Sequence, residues 1–235
     1  MRRSRQPAVL FGSLLLMMST NGASAQNVSA PKVSTQKISA PKFAIERLDD
    51  ADRKAMIGVT WEPGCPVGLD DLRRVIVPFV DFDGSEQTGA IVVHRDVANA
   101  IGTVFTTLHA ARFPVASIEP IEAFDGDDDR STTANNTSAF NCRPSFGADG
   151  KPTKRWSQHS YGRAVDVNPV QNPYVLADGT VLDPNAKKYV DRTIGEPGMA
   201  VRGGVLVKAF AAVGWKWGGN WRSTKDYQHF SVTGR

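Results

Sequence analysis

The stretch Ser157–Asn168, SQHSYGRAVDVN, decides how this chain is read. Gly162 permits a tight turn after His159, and Arg163–Asn168 alternates as a strand does, with successive side chains on opposite faces. Val165 and Val167 suit a core, so Ala164, Asp166 and Asn168 are expected to turn toward an open or polar side. Near the other end, DYQHF at Asp226–Phe230 leads from a turn at Thr224–Asp226 into a second strand, with His229 and Ser231 opposite Phe230 and Val232. Two histidines and a carboxylate, delivered by one turn and two strands, match the three-ligand set of a catalytic zinc centre with a fourth position for water. His159, Asp166 and His229 are therefore expected to hold one Zn2+ ion. Asp226, three residues before His229, is left free as a general base. Arg143, in FNCR, is the first candidate for a positive donor to the developing oxyanion, and Arg163 the second.

Outward from this stretch the chain mixes strands and helices without a repeating βαβ rhythm, which predicts an α+β fold. Asp70–Val80 reads as a short helix or strand, Gly89–Arg95 as a β-branched strand, and Asp96 as the cap of a helix over 97–112. Val115–Phe124 is a further strand candidate, and Asp125–Asn141 a polar loop. Met199–Val213 reads as a helix closed by Gly214, followed by strands at Trp215–Trp217 and Gln228–Val232. His94 and His109 carry no motif and read as structural. The run DGDDD at Asp125–Asp129 resembles a calcium loop but lacks the twelfth-position glutamate, so it reads as a solvated acidic loop. Asn136-Thr137-Ser138 matches a glycosylation acceptor and is given little weight. Trp215, Trp217 and Trp221 read equally as cleft wall or core, and Tyr161 and Tyr174 are weaker candidates for substrate contact.

The N-terminus bounds where the protein acts. Arg2, Arg3 and Arg5 precede an apolar run from Ala8 to Met18, and Ala23-Ser24-Ala25 supplies small residues for a cut. These are the parts of a secretory signal peptide over residues 1–25, and the run is too short to span a bilayer. Cleavage would leave 210 of 235 residues, and removing three arginines would take the formal charge from +4 to +1. A near-neutral chain without a basic stripe gives no nucleic-acid signal. Residues 26–42, with SAPK twice and no aromatic, cannot bury a core and read as a disordered linker; residues 43–235 are the expected peptidase domain. The two cysteines, Cys65 and Cys142, read as a disulfide in an exported chain.

The pattern S-x-H-x-x-G-x-A-x-D at Ser157–Asp166, with D-x-x-H at Asp226–His229, resembles the D-alanyl-D-alanine carboxypeptidase family of zinc peptidases. That family includes VanY-type carboxypeptidases, D-Ala-D-Ala dipeptidases and L-alanyl-D-glutamate endolysins. NTSAFNCR (Asn136–Arg143), GRAVDVNPVQNPY (Gly162–Tyr174) and GWKWGGNW (Gly214–Trp221) resemble one bacterial branch of it. The resemblance spans about residues 61–230. It implies His159, Asp166 and His229 as zinc ligands, Asp226 as base, and the fold shared with the hedgehog signalling domain, a central antiparallel sheet bearing the metal. It also implies peptidoglycan stem peptides as substrate and a periplasmic or wall location. A monomer with no membrane span after signal cleavage is expected. Arg143 lies closer to the first histidine than the arginine of better-known members does. Carboxypeptidase action leads; an L-Ala-D-Glu type endopeptidase, a non-catalytic wall-binding module and a general protease on L-peptides are the alternatives.

Overall fold

The computed structural model describes residues 42–147 and 149–235. The signal-peptide reading of residues 1–25, and the linker reading up to residue 41, lie outside the described residues. The elements run β1 (Ala44–Arg47), α1 (Asp50–Met56), β2 (Leu72–Val80), β3 (Glu86–His94), α2 (Ala98–Ala110), β4 (Ser117–Ile118), α3 (Asp128–Thr133) and β5 (Asn136–Thr137). They continue with β6 (Pro144–Phe146), β7 (Pro152–Trp156), β8 (Ala164–Asp166), β9 (Tyr174–Val175), α4 (Val205–Ala212), β10 (Lys216–Trp217), β11 (Lys225–Asp226) and β12 (His229–Ser231). The fold is α+β. Its antiparallel strands are divided mainly between two three-stranded sheets, β1-β2-β3 and β10-β12-β8.

The β2–β3 hairpin is the scaffold. Asp81 closes its turn by accepting from the Asp83 and Ser85 amides at 3.0 and 2.9 Å, a local bond that favours turns over continued strand. Val75 and Val77 of β2, with Ile91 and Val93 of β3, bury against Ile101, Val104, Phe105 and Leu108 of α2. The same core continues through Val165, Val167 and Phe230 to α4, where the Phe210 and Phe230 rings stack 4.1 Å apart. Full burial of each such ring contributes about 1.5–3 kcal/mol, and it anchors the site-bearing sheet.

Several sequence expectations change. Asp96 does not cap α2: a 3-10 turn, Arg95–Val97, comes first, and His94 Nδ1 accepts from the Asp96 amide at 3.2 Å. The Asp96 side chain instead pairs with Arg163 at 3.0 Å. Strand is confined to Ser117–Ile118 within 115–124, because Pro120 lacks an N–H and a 3-10 turn follows at Ile121–Phe124. The expected polar loop at 125–141 holds α3 and β5, and Asn136–Asn141 is buried throughout. The helix expected from Met199 starts only at Val205, after the Gly203-Gly204 pair. Among the described residues, no helix is long and apolar enough to cross a membrane.

Candidate metal centre

β8 and β12 pair antiparallel with His229 opposite Asp166, Phe230 opposite Val165 and Ser231 opposite Ala164. Directly opposed residues project on one face, so the register alone puts the imidazole beside the carboxylate. His159 arrives from the 3-10 turn Gln158–Tyr161, which Ser157 caps by accepting the His159 amide at 3.3 Å. Gly162 ends that turn at φ +61, and a Cβ there would lie 2.5 Å from the His94 backbone nitrogen. Glycine is thus required twice, for the left-handed backbone and for the approach to β3.

His159 Nε2 lies 3.2 Å from both His229 Nδ1 and Asp166 Oδ2, and His229 Nδ1 lies 3.1 Å from Asp166 Oδ1. The side-chain exposures are only 4%, 6% and 13% for His159, His229 and Asp166. Of the open or polar side expected for Asp166, the structure shows the polar one, and Ser138 pairs with Asp166 backbone to backbone on the other edge of β8.

The outer nitrogens of both rings are engaged. His159 Nδ1 faces the Ala139 carbonyl at 2.5 Å, and His229 Nε2 faces the Arg235 oxygen at 3.1 Å. A carbonyl can only accept, so each of these nitrogens donates, and the other ring nitrogen of each histidine faces inward. Two inward ring nitrogens and a carboxylate are a donor set that suits a metal ion. Tetrahedral ligands about 2.0–2.1 Å from zinc stand about 3.3 Å apart, close to the spacing found. The three residues could hold a metal ion.

Burial works to raise the Asp166 pKa, but the charge and hydrogen bond of His159, and then those of His229, outweigh it. They hold its carboxyl well below the usual range. Asp226 behaves oppositely. Burial, and next the Asp166 charge, push it up to about 7, while His229 and Arg143 pull the other way. Its Oδ1 is buried with no hydrogen-bond partner among the described residues. Asp226 sits on β11, opposite Tyr174 of β9. Gly218 lies against both Asp226 and His229: a Cβ there would meet the Asp226 carbonyl at 2.6 Å and the His229 Cβ at 3.3 Å.

Arg143 pairs through Nε with Asp128, and its Cζ stands 5.3 Å from the Phe146 ring centre. The runner-up, Arg163, is engaged by Asp96. Trp215 and Trp217 are core, whereas the Trp221 ring lies 5.5 Å from that of His229. Tyr174 donates to the Gly147 carbonyl at 3.4 Å, and Tyr161 is half-buried. His109 pairs with Glu86, and His94 serves the turn already described. Cys65 and Cys142 form a disulfide with Cα atoms 6.0 Å apart. The acidic run is not merely solvated: Asp127 caps α3 and Asp128 binds Asn141 and Arg143.

What sequence reasoning missed is the supporting segment Asn136–Arg143. It supplies the Ala139 carbonyl to His159 and the Ser138 bridge to Asp166, and its Asn141 amide reaches the His159 carbonyl at 3.4 Å. Its signal was the NTSAFNCR motif itself, whose Ala139-Phe140 pair is too apolar for a solvated loop.

A paired-histidine, single-carboxylate cluster on an α+β fold fits the class of metallopeptidases. Residues 151–232 match the model of the family described as D-alanyl-D-alanine carboxypeptidase. The resemblance drawn from the motifs holds over that segment, which carries His159, Asp166, Asp226 and His229 and begins after Arg143. The match supports a zinc peptidase acting on peptidoglycan-like substrates. No curated protein and no solved structure matches the chain.

Proposed function

We propose that the protein is an exported zinc metallopeptidase that removes the terminal D-alanine from peptidoglycan stem peptides ending in D-Ala-D-Ala. The observation that carries this is the inward convergence of two imidazole nitrogens and the Asp166 carboxylate, beside the Asp226 carboxyl, whose buried Oδ1 has no hydrogen-bond partner among the described residues. His159, Asp166 and His229 would hold the ion, which when bound supplies Lewis acidity at the scissile carbonyl. Asp226 takes a proton from the attacking water and returns it to the leaving amine as the C–N bond breaks. Arg143 places positive charge where the carbonyl oxygen becomes anionic.

The Asp226 environment favours an enzyme over a wall-binding module. Leaving a buried acceptor unpaired costs about 1–3 kcal/mol, a cost with no benefit to a protein that only binds. A cleft of ≈ 410 Å³ carries Lys216, Arg222 and Arg235 with no acidic side chain in its lining, and Trp221 forms part of its wall. That charge suits the carboxylates of stem peptides. Export rests on the basic, apolar and small-residue succession of residues 1–25.

The test is mass-spectrometric product analysis of residues 26–235, loaded with zinc and incubated with muropeptides ending in D-Ala-D-Ala. Loss of one D-alanine is expected, and Asp226→Asn should slow it about 10²–10⁴-fold while zinc binding persists. A cut within the stem would replace carboxypeptidase by endopeptidase action. No cleavage by zinc-loaded protein would overturn the proposal.

A further inference from the structure

Arg143 is held at its backbone by the turn that carries His159. Its amide donates to Ser160 Oγ at 2.9 Å, and its carbonyl accepts from Ser160 Oγ at 2.7 Å and from the Ser157 amide at 3.1 Å. These bonds fix where the side chain starts, not where it ends, because an arginine retains several rotatable bonds.

Asp128 supplies the missing constraint. It lies in the first turn of α3, whose cap Asp127 accepts from the Asp129 and Arg130 amides at 2.9 and 3.0 Å. One Asp128 oxygen forms an ion pair with Arg143 at Nε without a hydrogen bond from the Nε–H; the other accepts from Asn141 Nδ2 at 2.8 Å. Both carboxylate oxygens are therefore engaged, and side-chain exposures of 23% for Arg143 and 29% for Asp128 limit competition from water. The contact uses the inner edge of the guanidinium. Among the described residues, the terminal nitrogens Nη1 and Nη2 have no hydrogen-bond or ion-pair partner, and the Phe146 ring lies beside the Cζ. An arginine engaged at Nε keeps its outer fork for a second acceptor.

We propose that Asp128 is a positioning residue: by gripping Arg143 at Nε, it presents the two terminal nitrogens to the substrate oxygen that becomes anionic. This rests on the function proposed above. Asp128 lies outside both site motifs and outside the matched segment, so neither assigns it a part.

In Asp128→Asn, the carboxamide oxygen can still accept from Asn141, but the charge that holds the guanidinium in the ion pair is lost, which releases it. With zinc-loaded protein and D-Ala-D-Ala muropeptides, kcat should fall about 10²–10³-fold, the scale of losing one oxyanion donor. KM and zinc affinity by chelator competition should stay near wild type. Arg143→Lys should fall similarly, and Asp128→Asn in that background should add nothing. Asp128→Glu should recover part of the rate. An independent readout is 15N relaxation at Arg143 Nε, expected to report an ordered side chain in the wild type and a mobile one in Asp128→Asn. Wild-type kcat in Asp128→Asn, multiplicative losses with Arg143→Lys, or an Nε as mobile in the wild type as in Asp128→Asn would each overturn the proposal. If the wild type cleaves no muropeptide, the proposed function fails and the Nε relaxation alone decides the clamp.

Discussion

Replacing Gly218 by alanine should damage the site more than the fold. Gly218 opens the turn Gly218–Asn220 after β10, and its φ lies outside the left-handed region, so the penalty is steric. The new Cβ would stand 2.6 Å from the Asp226 carbonyl oxygen, 3.0 Å from the Asp226 Cβ and 3.3 Å from the His229 Cβ. Ordinary contact begins near 3.4 Å, so 3.4 less 2.6 leaves 0.8 Å for β11 to yield. The obstructing atom is backbone, which cannot rotate aside. Overpacking of this kind costs about 1–3 kcal/mol, while displacing a catalytic group by about 1 Å costs about 10²-fold in rate. Gly218→Ala should therefore lose about 30- to 100-fold in kcat/KM on D-Ala-D-Ala muropeptides and bind zinc more weakly. Gly214→Ala is the control: φ is +84 with nothing within 4 Å of the new Cβ. Its left-handed backbone costs about 1–2 kcal/mol without touching the site, so kcat/KM should stay within about twofold. Guanidinium melts of both variants, beside hydrolysis rates, separate the effects. Gly218→Ala with wild-type rate and zinc affinity would refute the reasoning, as would an equal loss in Gly214→Ala.

Two further outcomes concern stability. The Cys65–Cys142 bridge spans 77 residues, and the loop-entropy relation assigns a closure of that length about 4.5 kcal/mol at 25 °C; Cys65→Ser/Cys142→Ser should lose most of this in a denaturant melt, and a loss under about 1 kcal/mol would contradict the account. Burial raises the pKa of Glu122, against the lowering effect of its bond from Thr60. A raised carboxyl binds its proton more tightly in the folded state, so its contribution is fully present below the unfolded value of about 4.3 and is lost as pH rises through the folded value. Glu122→Gln should accordingly raise the melting temperature at pH 7 and leave it nearly unchanged at pH 4; equal effects at both would rule this out.

The site was legible where its chemistry is local. His159, Gly162 and Asp166 fall within one turn and one strand, and Asp226 and His229 within four residues, so spacing and alternation sufficed to nominate them. Val165 and Val167 showed which face was core. The supporting segment was illegible for the opposite reason. Ala139 reaches His159 across 20 positions, and Asn141 reaches Asp128 across 13. Serine, threonine and asparagine read as loop unless their burial is known, and single-residue patterns carry no such information. The same limit hid α3, a six-residue helix of polar residues without an apolar stripe.

Composition, motif spacing and the alternation of short strands thus pointed to the fold class, the candidate ligand triad and the candidate base, because each depends on neighbours along the chain. The β8–β12 register, the inward-facing nitrogens, the pairing of Ser138 with Asp166 and the grip of Asp128 on Arg143 were decided only by the tertiary structure. Each needs two segments distant in sequence to meet within hydrogen-bond reach, and that meeting is set by how the core packs α2 and α4 around the strands.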